Sequence, residues 1–120
     1  MYELAIRGDF AAAHRLRGYE GDCKNLHGHT WKVEAVMGSS SLDSTGMVMD
    51  FKVAKKKLRD LLARLDHAYL NDIPPFDKIN PTTEHLAKYI FEEFSKGCQP
   101  LKVKRVQVWE SDSASVTYCP

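Results

Sequence analysis

Two long segments alternate in polarity, and this limits the possible folds more than any other feature of the chain. In residues 2 to 16, Tyr2, Leu4, Ile6, Phe10, Ala12 and His14 share one parity. In residues 27 to 38, His27, His29, Trp31, Val33, Ala35 and Met37 do the same. Successive side chains of a strand point to opposite faces, so each segment reads as a strand with one face turned inward. Gly8-Asp9 interrupts the first pattern and is expected to form a bulge. Between the two, residues 17 to 26 are polar and glycine-containing and read as a loop. Ser39 to Gly46 is rich in Ser, Asp and Gly and reads as a turn region.

The pattern then changes period. Phe51, Ala54, Leu58, Leu61, Leu62 and Leu65 fall at helical spacing, with Asp50 placed to cap the first turn. Asp66 to Asn80 contains Pro74-Pro75 and reads as a long irregular connection, a kind of segment that is often functional. A second helix is expected from Pro81-Thr82-Thr83-Glu84, carrying Leu86, Ala87, Ile90, Phe91 and Phe94 inward and stopping at Gly97. Leu101 to Glu110 and Ser115 to Cys119 complete the chain as strands. The order β-β-α-α-β-β predicts an α+β domain spanning residues 1–120, a four-stranded antiparallel sheet with two helices on one face. Its free edges and uncovered face predict self-association.

Composition excludes several classes. Lys+Arg is 17 against 16 Asp+Glu, a net charge of +1, so no polyanionic partner such as nucleic acid is called for. The run Lys55-Lys56-Lys57 lies on the first helix and reads as a solvated face. Three cysteines, Cys23, Cys98 and Cys119, are too few and too widely spaced for a disulfide framework. No apolar stretch has the length of a membrane span, and Met1-Tyr2-Glu3-Leu4 lacks the features of a secretion signal. A cytoplasmic location is expected.

His27 and His29, two residues apart in a strand, project from one face with alpha carbons about 7 Å apart. If the first two strands pair across the 17–26 loop, His14 comes near both. Three neutral imidazoles suit zinc and leave a fourth position for water or substrate, as in catalytic zinc sites. The same donors also take nickel, copper or cobalt.

Phe10-Ala11-Ala12-Ala13-His14 followed by Cys23-Lys24-Asn25-Leu26-His27-Gly28-His29 resembles the paired signature of the family of 6-pyruvoyltetrahydropterin and 6-carboxytetrahydropterin synthases. Gly46-Met47-Val48-Met49-Asp50-Phe51, Leu65-Asp66-His67-Ala68-Tyr69-Leu70-Asn71, Asn80-Pro81-Thr82-Thr83-Glu84 and Trp109-Glu110 resemble further blocks of that family, in the same order. The resemblance implies a tunnelling fold (T-fold), assembled as a trimer or hexamer with active sites between subunits. It implies zinc on His14, His27 and His29, Cys23 as general base, and Asp66 with His67 as a second proton-transfer unit. Glu110 would anchor a pterin ring, with Thr82, Thr83 and Glu84 contacting its heteroatoms. Arg15, Lys24 and Lys52 are candidates for the triphosphate by charge.

The substrate so implied is 7,8-dihydroneopterin triphosphate. Loss of acetaldehyde and triphosphate would give 6-carboxytetrahydropterin, the route to queuosine and other deazapurines. Internal redox with triphosphate elimination would give 6-pyruvoyltetrahydropterin, the route to tetrahydrobiopterin. A folate-directed variant cleaves the side chain to a hydroxymethyl product, but its members carry Glu where Cys23 stands. A zinc- and pterin-binding protein without catalysis is the reading from another class.

Overall fold

The first alternating segment folds as β1, Tyr2–His14, and the second as β2, His27–Ser39. They belong to a computed structural model that describes residues 1–18 and 25–120. The two strands pair antiparallel without interruption, from Tyr2 opposite Ser39 to His14 opposite His27. The expected bulge at Gly8-Asp9 is therefore absent; Gly8 faces Val33 and Asp9 faces Lys32 in register. Helix packing accounts for the glycine instead. A Cβ at position 8 would lie 3.0 Å from Leu62 Cδ1, on the helix that follows.

That helix, α1, spans Phe51–Leu62, and the Asp50 carboxylate accepts from the Lys52 amide at its start. Ala54, Leu58, Leu61 and Leu62 are buried beneath it, as is Leu65 just beyond its end. Phe51 departs from the expected stripe and is 62% exposed. It lines an open groove with Tyr2, Leu42 and Met47 at the start of β1 instead of reaching the core.

The connection from Asp66 to Asn80 is less irregular than its prolines suggest. Ala68–Tyr69 forms a two-residue strand, β3, which pairs parallel to β1 at Ala12 and Ala13. A single 3-10 turn, Leu70–Asp72, follows it. Helix α2 spans Thr83–Cys98 and runs through Gly97 instead of stopping there. Pro100 sets the boundary. The residue before a proline is driven out of the helical region, and Gln99 has ψ 141. Two antiparallel strands close the chain, β4, Lys102–Ser111, and β5, Ala114–Tyr118.

The sheet order is β3-β1-β2-β4-β5. The expectation of four antiparallel strands is thus corrected to five in a mixed sheet, because two residues are too few to leave a period in the sequence. Both helices lie on one face, α1 on β1 and α2 on β4 and β5. Phe10, Trp31, Val33, Met37, Leu58, Leu86, Ile90 and Val106 form the centre of the core. A register shift opposite Val36 and Met37 lets Val103, Val106 and Val108 all turn inward although their spacing breaks alternation. No helix among the described residues is long and apolar enough to cross a membrane.

Leu58 is 1% exposed and sits where α1 meets β1. Leu58→Ala is expected to cost about 2–5 kcal/mol of stability by chemical denaturation. Asp50→Ala, which removes only a cap, is expected to cost about 1 kcal/mol.

Candidate metal centre

The register of β1 and β2 assembles the site. His14 is the last residue of β1 and stands directly opposite His27, while His29 stands opposite Ala12. All three share the inward face, and the small side chain of Ala12 leaves room for the His29 ring. The ring centroids are 4.5 Å apart for His14 and His27, 4.7 Å for His27 and His29, and 5.3 Å for His14 and His29. Trp31, the next inward residue of β2, forms the floor, edge-on to both His14 and His29 and stacked on Phe10.

The hydrogen bonds select the ligand atoms. His14 Nδ1–H donates to the Pro81 carbonyl at 2.8 Å, and His27 Nδ1–H donates to the Asn25 carbonyl at 2.7 Å. With both Nδ1 atoms protonated, both Nε2 atoms of the neutral rings carry lone pairs. Those two atoms lie 2.9 Å apart. Two lone pairs so close repel unless a cation stands between them. His29 Nε2 is buried and, among the described residues, has no hydrogen-bond partner. One ligand atom from each ring lies within 4.8 Å of the others, so the trio could hold a metal ion. Burial holds the pKa of His14 and of His29 below the ordinary imidazole value, which keeps both rings in the neutral form that ligation needs.

Glu110 lies beside the trio. One carboxylate oxygen is 3.4 Å from His29 Nε2, and the other accepts from the buried Thr83 hydroxyl at 2.8 Å. Thr82 is the N-cap of α2 and accepts from the His85 amide, while Glu84 is exposed on the first turn. Of the three residues expected at this helix start, Thr83 alone touches the Glu110 carboxylate.

Asp66 and His67 lie at the opposite edge of β1. Asp66 accepts from the Ala11 amide at 2.8 Å and pairs with His67 Nδ1 at 2.9 Å. The Ala11 amide is the main cause that holds the Asp66 carboxyl below its usual pKa, with His67 adding to it. His67 has φ 54, and its side chain is 84% exposed. The pair expected from sequence is therefore formed, but among the described residues no hydrogen bond or ion pair joins it to the imidazole trio. Cys23, the expected base, lies outside the described residues, as does Lys24. Of the other candidate phosphate contacts, Arg15 and Lys52 are both exposed.

Sequence reasoning gave no role to Asn71, Asn80 or the Pro81 carbonyl, although all three lie in the blocks it singled out. A backbone carbonyl leaves no trace in residue identity. The only signal was two asparagines in a connection that the fold holds against β1.

Three imidazoles at the end of a strand pair, a carboxylate beside them and two helices backing the sheet define a protein of the T-fold class with a histidine trio that could hold a metal ion. A model of the family described as 6-pyruvoyl tetrahydropterin synthase matches residues 3–120, and the chain belongs to that family. It is 38% identical over 114 residues to 6-carboxy-5,6,7,8-tetrahydropterin synthase of Synechocystis sp., covering 91% of this chain and 86% of the relative. It is 37% identical over 114 residues to dihydroneopterin monophosphate aldolase of Pyrococcus furiosus, covering 94% and 93%. The structure of Caenorhabditis elegans 6-pyruvoyl tetrahydropterin synthase matches with a TM-score of 0.88 at 25% identity, covering 99% of this chain and 95% of that one.

His14→Ala, His27→Ala and His29→Ala are each expected to abolish stoichiometric metal binding, measured by elemental mass spectrometry after dialysis. Metal at 100 times its Kd is expected to stabilise the wild-type fold by about 2.7 kcal/mol, and the three variants should not gain this stability.

Proposed function

We propose that this protein is a zinc-dependent 6-carboxytetrahydropterin synthase. It would convert 7,8-dihydroneopterin triphosphate and water to 6-carboxytetrahydropterin, acetaldehyde and triphosphate, in queuosine and deazapurine biosynthesis. The observation that carries this reading is the convergence of three imidazole nitrogens beside a carboxylate held by Thr83. The Synechocystis relative supports the carboxy product.

Zinc on His14, His27 and His29 would supply Lewis acidity to the oxygens of the substrate side chain. Glu110 would accept the 2-amino and N3–H groups of the pterin as a two-pronged donor. Its hydrogen bond from Thr83 and its strand position favour one orientation of the carboxylate. Cys23 would remove a side-chain proton, since a thiolate is favoured near positive charge. His67 would exchange the second proton, with Asp66 holding its Nδ1–H. Thr82 and Glu84 remain proposed pterin contacts at the start of α2.

The exposure of His67 and the open apolar groove at Tyr2, Leu42, Met47 and Phe51 favour a site completed in a homo-oligomer, a trimer or hexamer. We also propose one pterin-synthase domain over residues 1–120 and a cytoplasmic location. The Pyrococcus furiosus relative favours a second reading, aldol cleavage of a dihydroneopterin phosphate. The pyruvoyl product is a third outcome, and a binding protein without turnover a fourth.

Mass-spectrometric product analysis of the zinc-loaded protein with 7,8-dihydroneopterin triphosphate separates these. The expected products are 6-carboxytetrahydropterin and acetaldehyde. A hydroxymethyl product would establish the aldolase reading, and a pyruvoyl product would move the reaction to the tetrahydrobiopterin route. Cys23→Ala is expected to keep zinc and fold while losing turnover; unchanged turnover would refute the assigned base. Glu110→Gln replaces an acceptor by a donor facing the pterin N–H groups. It is expected to lower kcat/KM by roughly 10- to 100-fold, from the strength of charged hydrogen bonds.

A further inference from the structure

The backbone beyond His14 is held in an unusual way. A strand that outruns its neighbour must still satisfy its amides and carbonyls. β3 pairs with β1 only at Ala12 and Ala13. Past that point, side chains replace the missing strand. The Asn71 amide accepts from the Arg15 N–H and donates to the Arg15 carbonyl, both at 2.9 Å. The Asn80 amide does the same to Arg17, both at 2.8 Å. In an extended segment, residues two apart turn their backbone groups to the same edge. A primary amide offers one acceptor and two N–H donors, so it can answer both backbone groups of one residue.

The second clamp is directly coupled to the trio. Asn80 precedes Pro81, whose carbonyl accepts the His14 Nδ1–H. The Asn80 side chain thus grips Arg17 while the next residue grips the ring of His14, closing a circuit around residues 14–17. The Arg17 guanidinium ties down the same loop by donating to the carbonyls of Phe76 and Ile79. His85 adds a further tie, its Nδ1–H donating to the Asn80 carbonyl at 2.6 Å. Asn71 is 7% exposed, too buried for its two bonds to be exchanged cheaply with water.

We infer that Asn71 and Asn80 are positioning residues for the metal centre: their side-chain amides hold the strand exit, Asn71 against the 3-10 turn and Asn80 against the Pro81 loop, and so present His14 to the ion through Nε2. The inference rests on the metal-site reading. Partners that orient a ligating histidine are worth 10- to 100-fold in metal affinity. These asparagines act one step further out, Asn80 through the carbonyl that accepts the Nδ1–H and Asn71 through the backbone of Arg15 next to His14.

Two readouts test this on the full chain. In the metal-free wild type, nitrogen-15 NMR of the imidazoles is expected to show His14 as a single Nδ1–H tautomer. In metal-free Asn80→Ala and Asn71→Ala, the His14 signals are expected to shift toward a mixture of tautomers. Zinc affinity, measured by competition with a chromogenic chelator, is expected to fall about 10-fold or more in either variant. The cobalt(II) absorption bands are expected to change in shape as well. Asp50→Ala serves as the control for general destabilisation and is expected to keep wild-type zinc affinity.

Variants that fold, keep the His14 tautomer and bind zinc within twofold of wild type would reduce both asparagines to a purely structural role and overturn the inference. If one alanine variant does not fold, the other decides it by the same criteria. A wild type that binds no zinc, with the tautomer shift still seen in the variants, would sink the metal reading and leave the positioning of His14 by the clamps standing. A wild type without a single His14 tautomer would overturn the inference itself.

Discussion

The pairing of β1 with β2 underlies everything else in this molecule. Its register runs from Tyr2 opposite Ser39 to His14 opposite His27, and a slip of one residue would turn every inward side chain outward. The same register that buries Leu4, Ile6, Phe10, Trp31, Val33 and Met37 also brings His14, His27 and His29 to one end of one face. Core formation and site assembly are therefore one event. The hydrophobic burial that selects the register, about 1.5–3 kcal/mol for each large side chain, also delivers the imidazoles to each other.

That delivery has an electrostatic cost between the rings themselves. The His14 and His29 rings are desolvated against Trp31, and the Nδ1 protons of His14 and His27 are committed to backbone carbonyls. The Nε2 lone pairs of His14 and His27 then face each other at 2.9 Å. An arrangement of this kind is unfavourable between two neutral rings alone and suited to a cation that both lone pairs could share. It is the reverse of the helix surface, where Lys56–Asp60 and Lys88–Glu92 pairs lie in solvent and contribute little.

The edges of the sheet show the same economy of material. At the end of β1, three side chains, Asp66, Asn71 and Asn80, accept backbone amides that a full-length neighbouring strand would otherwise engage. The chain thereby ends a strand beside the site without leaving its backbone unsatisfied. It also ties the site to the start of α2, where Pro81 holds His14 and Thr83 holds Glu110. Pieces distant in sequence are thus rigidly related at the point where chemistry is expected.

Much of this was legible in the residues. Alternation marked β1 and β2, helical spacing marked α1 and α2, and the placement of His14, His27 and His29 on inward positions marked the candidate ligand set, because side-chain direction follows from period alone. Glu110 and the pair Asp66–His67 were legible through resemblance to a family. Other features were decided only in three dimensions. β3 is too short to have a period, Gly8 serves a helix that lies fifty residues on, and Phe51 has helical spacing but lines an open groove instead of the core. The tautomer of His14 depends on a carbonyl, and the clamps of Asn71 and Asn80 depend on which backbone passes within reach. Sequence by itself determined which faces are buried, since that follows from local geometry and the transfer of apolar groups from water. Tertiary structure decided which nitrogen of each ring is free to bind, since that follows from partners the chain brings together only when it folds.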